Sequence, residues 1–125
     1  LHIQDYCDCV DLLINADKSK IKNEIFNVGY QNLSISSLSQ IVKKVVEKEF
    51  LEKDEIKIET TSSDDNRSYH INSDKIKNVL GFQPKYTIED AVKELCDSFK
   101  KGLIKNSFED DIFYNIKRMQ KIQAR

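Results

Sequence analysis

The stretch that most constrains this chain is Asn72-Ser73-Asp74-Lys75-Ile76-Lys77-Asn78-Val79-Leu80-Gly81-Phe82-Gln83-Pro84. Asn72 and Ser73 are residue types that start helices, because their side chains accept hydrogen bonds from first-turn amides that have no partner inside the helix. Ile76, Val79 and Leu80 recur at the spacing of one helical face. Gly81 then suits a left-handed cap, and Pro84 prevents any restart. The punctuation predicts a helix over residues 73–80, with Phe82 packing back on it.

The same logic organises the rest of the chain. Asp5 is placed to cap a first helix whose apolar positions are Tyr6, Cys9, Val10 and Leu13, ending near Asn15 or Ala16, before a charged loop over 17–23. Residues 24–28 are β-branched and aromatic enough for a short strand ending at Gly29. Ser34 or Ser36 caps a helix with Leu38, Ile41, Val42, Val45 and Val46 on one stripe and Lys43, Lys44, Glu47 and Lys48 toward solvent. Ile56 and Ile58 alternate with Lys57 and Glu59 as in a half-buried strand, and a polar loop over 60–66 follows. Thr87 and Asp90 form a capping box ahead of Ile88, Ala91, Val92, Leu95, Cys96 and Phe99, a helix that closes at Gly102. Residues 107–125 begin acidic and end basic, which complements a helix dipole, and Ile112, Ile116 and Met119 give a thin stripe suited to docking on a neighbour. The expected fold is therefore α/β: a single helix-rich lobe over 1–125 with two or three short strands and a docking helix at 107–125.

Composition narrows the function. With 125 residues, one modest core fits. A net charge of −1 with interspersed signs excludes a nucleic-acid footprint. Apolar runs such as Leu12-Leu13-Ile14 are too short for a membrane span. Three cysteines without framework spacing suit a reducing, cytoplasmic setting. Cys7 and Cys9 point to different helix faces, neither His2 nor His70 has a cysteine at ligand spacing, and no metal site is expected. Both histidines read as strand or loop residues, while Cys9 and Cys96 read as small apolar groups.

The order of these pieces resembles the carboxyl-terminal part of the extended short-chain dehydrogenase/reductase family, the NAD-dependent nucleotide-sugar epimerases and dehydratases. Leu1-His2-Ile3-Gln4-Asp5 is similar to its strand-to-helix junction, Ile25-Phe26-Asn27-Val28-Gly29 to its recurrent strand, and Ser34-Ile35-Ser36-Ser37-Leu38 to the helix start that follows. Arg67, Ser73-Asp74-Lys75, Leu80-Gly81-Phe82, Pro84 and Ile88-Glu89-Asp90-Ala91-Val92 then follow at family-like spacings. The resemblance implies a substrate-binding lobe, with a missing amino-terminal Rossmann domain carrying NAD or NADP and the catalytic residues. It also implies a nucleotide-diphosphate sugar as partner. Epimerase is favoured over dehydratase or reductase.

This chain has only Gly29, Gly81 and Gly102, far apart, so it holds no glycine-rich dinucleotide turn. None of Tyr6, Tyr30, Tyr69, Tyr86 and Tyr114 has a lysine four residues on, so the family's tyrosine–lysine pair is lacking. No cofactor and no catalytic residue is therefore assigned to this piece. Arg67 is the candidate diphosphate contact, since guanidinium offers a rigid fork of donors matched to phosphate oxygens. Many family members place an arginine three residues before an aspartate here, where this chain has Ser62 and Asp65. A surface ion pair of Arg67 with Asp64 or Asp65 is the alternative. Tyr69 and Asn72 flank the site, and Tyr69 is the second candidate substrate contact. A non-catalytic binding or interaction domain of the same architecture is the rival function. Exposed apolar surface, or a homodimer formed through it, is expected of the isolated lobe.

Overall fold

A computed structural model describes residues 1–50, 55–62, 64 and 67–123. Six α-helices and one 3-10 turn are formed among the described residues: α1 (Ile3–Asn15), α2 (Lys18–Ile21), α3 (Ile35–Glu49), α4 (Asp74–Leu80), α5 (Ile88–Lys100), the 3-10 turn Asp111–Phe113, and α6 (Asn115–Lys121). The chain divides into two units, Leu1–Glu94 and Leu95–Arg125, with the division falling inside α5.

The first unit is built on α1 and α4. Ile76 of α4 is fully buried, and with Cys9 of α1 and Phe82 it forms a cluster against which Leu12, Leu13, Phe26, Val28 and Leu80 pack. Burial pushes the Cys9 thiol up, so it behaves as a small apolar group. Gly81 closes α4 at φ 74°, with its amide bonded to the Lys77 carbonyl, as its position foretold.

Asp5 does not cap α1. The helix begins at Ile3, and His2 takes the cap position, its Nδ1 accepting the Gln4 amide at 3.1 Å. Asp5, 1% exposed, instead accepts the amides of Lys85 at 2.9 Å and Tyr86 at 3.1 Å. The extended backbone after Pro84 has no ladder partner for those two donors, and a buried amide left unpaired is costly.

No strand occurs among the described residues, which overturns the expected α/β lobe with its two or three strands: the chain is helical. The reason lies in how the two expected strands satisfy their backbones. Beyond residues 25–28, the Gly29 amide donates to Ser73 Oγ at 2.7 Å, and the Ser73 hydroxyl donates to the Gly29 carbonyl at 3.1 Å. Phe26 and Val28 turn toward the core cluster. At residues 56–58, the Ile56 amide donates to the Glu47 carboxylate at 3.0 Å, and Lys43 bonds Glu55 at 3.0 Å. Ile56 and Ile58 line an apolar pocket together with Leu38 and Val42 of α3. Of the two alternating isoleucines Ile56 is half-buried and Ile58 is exposed, and side chains and a helix meet these segments where a sheet would need a second backbone.

Ser34 caps α3, accepting the Ser37 amide at 3.0 Å. Val45 is buried on its inner stripe and Val42 is more open. The stretch read as a charged loop contains α2, started by Asp17 accepting the Ser19 amide at 2.8 Å. The capping box forms as read: Thr87 N–H donates to Asp90 Oδ2 at 2.9 Å and Asp90 N–H to Thr87 Oγ1 at 3.2 Å. The Thr87 hydroxyl and amide hold the Asp90 carboxyl below its ordinary value.

In the second unit, α5 ends in a Schellman arrangement, with the Leu103 amide on the Ser98 carbonyl, the Gly102 amide on the Phe99 carbonyl, and Gly102 at φ 67°. The helix expected over 107–125 is interrupted. Asn106 turns the chain at φ 51°, and Asp110 caps the 3-10 turn by accepting the Ile112 amide at 3.1 Å. Asp111 then pairs with Arg118 at 3.1 Å and Lys121 at 2.8 Å, which lowers its pKa. The acidic residues serve a turn and an ion-pair clamp, so regular α-helix begins only at Asn115.

Candidate functional site

Residues 67–73 form an irregular strip leading into α4. Arg67 is exposed, Tyr69 is 74% exposed, and His70 is exposed. The two residues singled out in the sequence therefore share one open strip. Asp64 is described and exposed, whereas Asp65 and Asn66 lie outside the described residues.

Segment 29–32 runs beside this strip and is tied to it by side chains that act as backbone substitutes. The Asn32 carboxamide meets the Ile71 peptide at both ends: Oδ1 accepts the Ile71 amide at 2.9 Å, and Nδ2 donates to the Ile71 carbonyl at 3.0 Å. Ser73 meets both backbone groups of Gly29, as described above. A Cβ at Gly29 would stand 3.1 Å from Ile71 Cγ2, so the glycine permits the close approach. Gln31, between the two ties, accepts the Ile88 amide at 2.9 Å through its side-chain oxygen and so reaches the start of α5.

Asn72 and Ser73 divide the labour that the sequence assigned jointly. Asn72 Oδ1 accepts the Asp74 amide at 2.8 Å, and Asn72 Nδ2 donates to Asp74 Oδ2 at 2.8 Å. Ser73 occupies the cap position of α4 yet makes no cap bond, because its hydroxyl is committed to Gly29.

A pocket of about 80 Å³ opens on the other side of segment 29–32, lined by His2, Tyr30, Gln31, Tyr86, Thr87 and Ala91 among others. His2 is not a plain loop histidine. Its ring stacks on Tyr86 with centroids 4.8 Å apart, and its Nε2 lies 3.1 Å from Glu94 Oε2. Since Nδ1 accepts from Gln4, the ring proton sits on Nε2 and is donated to that carboxylate. Arg67 and Tyr69 do not line this pocket.

Sequence reasoning missed Gln31, Asn32 and the tertiary role of Ser73. Each acts across 39 or more residues of chain, and no local pattern encodes such a pairing. No group of three metal-ligating side chains is assembled among the described residues. The glycines build no pyrophosphate cradle either: Gly29 packs on Ile71, while Gly81 and Gly102 close helices. The strip carries an exposed arginine with an exposed aromatic ring two residues on. Among the described residues, no helix is long and apolar enough to cross a membrane.

Comparison with known families identifies the class as nucleotide-sugar dehydratases of the extended short-chain dehydrogenase/reductase type. The chain belongs to the family described as GDP-mannose 4,6 dehydratase, whose model matches residues 1–95. That span holds α1 to α4, the 67–73 strip and the start of α5. Enzymes of this class typically use NAD(P). No curated protein and no solved structure matches the chain.

Proposed function

We propose that this chain is the carboxyl-terminal, nucleotide-sugar-binding lobe of an NAD(P)-dependent nucleotide-sugar dehydratase. In this reading Arg67 grips the sugar donor's diphosphate and Tyr69 lies against the substrate. The observation that carries it is the family match, because it includes the exposed strip on which both residues stand. The dehydratase description of that family moves the reading from epimerase toward dehydratase; both chemistries begin with hydride abstraction from the hexose by a cofactor held elsewhere. Residues 107–125, beyond the matched span, serve as a docking segment, and the enzyme works in the cytoplasm.

In the full-length enzyme, Arg67→Ala raises the KM for the nucleotide sugar by about tenfold or more, the loss of a charge-assisted contact to phosphate, and leaves NAD(P) affinity unchanged. Steady-state kinetics against a panel of GDP, UDP, TDP and CDP sugars reads both effects and names the base. An unchanged KM with every sugar would remove Arg67 from the site. Absence of any turnover or sugar binding would favour a non-catalytic module.

A further inference from the structure

We infer that Asn32 and Ser73 are positioning residues that set nucleotide-sugar affinity through the strip carrying Arg67 and Tyr69, without touching the ligand. The inference rests on the proposed function and adds to it a pair of residues that lie outside the contact surface.

The geometry is that of a two-point mooring. Asn32 holds both hydrogen-bonding groups of Ile71, and Ser73 holds both of Gly29, so two side chains fix the register of two segments about 40 residues apart in sequence. Arg67 stands four residues before Ile71. An extended chain covers about 3.3–3.6 Å per residue, so the mooring lies within about 14 Å of the Arg67 backbone. Loosening it widens the conformations open to the strip, and a ligand that needs one of them binds less tightly in proportion to the fraction populated.

Two features distinguish this from ordinary fold support. Asn32 and Ile71 are both exposed, and hydrogen bonds open to water add little to folding stability. Ser73 sits where a serine normally caps the helix, yet its hydroxyl is spent on Gly29. Ser73 thus forgoes local stabilisation for a fixed spatial relation. The close approach at Gly29 reinforces it, because a Cβ there would stand 3.1 Å from Ile71 Cγ2 and oblige that side chain to shift.

Asn32→Asp tests the mooring with minimal change of shape. It keeps the oxygen that accepts the Ile71 amide and sets a carboxylate oxygen against the Ile71 carbonyl. Ser73→Ala removes the second tie, and Ser73→Thr restores a hydroxyl. In the full-length enzyme, Asn32→Asp and Ser73→Ala each raise the nucleotide-sugar KM about five- to tenfold, with kcat within about twofold and the NAD(P) KM unchanged. Ser73→Thr returns the KM to within about twofold of the parent. Amide hydrogen exchange accelerates at Ile71 in Asn32→Asp and at Gly29 in Ser73→Ala, while the amides of α1 keep their protection.

If Arg67→Ala raises the KM and Asn32→Asp and Ser73→Ala do not, the positioning role is overturned and the diphosphate assignment stands. If none of the three moves the KM, both fall together. Should either mooring variant lose protection throughout α1, or should Ser73→Thr fail to rescue, the residues serve the fold as a whole and the inference is likewise overturned.

Discussion

The two units of this chain are held together by different means. In Leu1–Glu94 the decisive contacts join residues far apart in sequence: Asp5 with Lys85 and Tyr86, Gly29 with Ser73, Gln31 with Ile88, and Asn32 with Ile71. In Leu95–Arg125 local polar contacts include Tyr114 with the Phe108 carbonyl and Asp111 with Arg118 and Lys121. Large apolar residues remain open in both units, with Ile25 and Ile35 at 81% exposure in the first and Phe108 at 89% in the second. Long-range pairing to a polypeptide backbone fixes where a segment lies, whereas local clamps fix only its shape. The strip proposed to bind the sugar donor lies in the first unit.

The sharpest way to break this contrast is Asp5→Ala. It strands two amides against a nearly inaccessible site, and unfolding by urea should show a loss of about 3 kcal/mol. A loss below about 1 kcal/mol would mean that the distant tie adds little. Next in size is Gly29→Ala, which presses a methyl group on Ile71 Cγ2 and should cost about 1 kcal/mol. Adding Ile71→Ala removes Cγ2 and leaves only Cβ at 3.3 Å, so a double-mutant cycle should return part of that cost. The smallest effect belongs to the second unit. Ile116→Ser should alter chain stability by less than about 0.5 kcal/mol, and a larger loss would show that this exposed residue is covered after all.

Much of the helical frame was legible in the sequence because its signals are local. Gly81 and Gly102 mark left-handed caps, Thr87 and Asp90 a reciprocal box, and Ser34 a first-turn acceptor, each complete within a few residues. What stayed hidden depends on a partner elsewhere. Residues 24–28 and 56–59 carry the alternation of strands, yet a strand exists only if another backbone pairs with it, and here Ser73, Glu47 and α3 stand in that place. Asp5 looked like a cap because aspartate before an apolar run usually is one. Its true partners lie 80 and 81 residues along the chain. Arg67 and Tyr69 were found through resemblance alone, and the side chains that moor their strip have no motif of their own.

The reach of that Asp5 tie has a consequence for biosynthesis. During translation the helix bearing Asp5 leaves the ribosome 80 residues ahead of the first of the two amides that pair with its inward carboxylate. Closing so long a loop carries an entropic cost that grows slowly with length and delays the step that depends on it. Until then the nascent chain holds that side chain beside a half-assembled interior without its two amide partners, so completion of the first unit waits on the segment that follows its only proline.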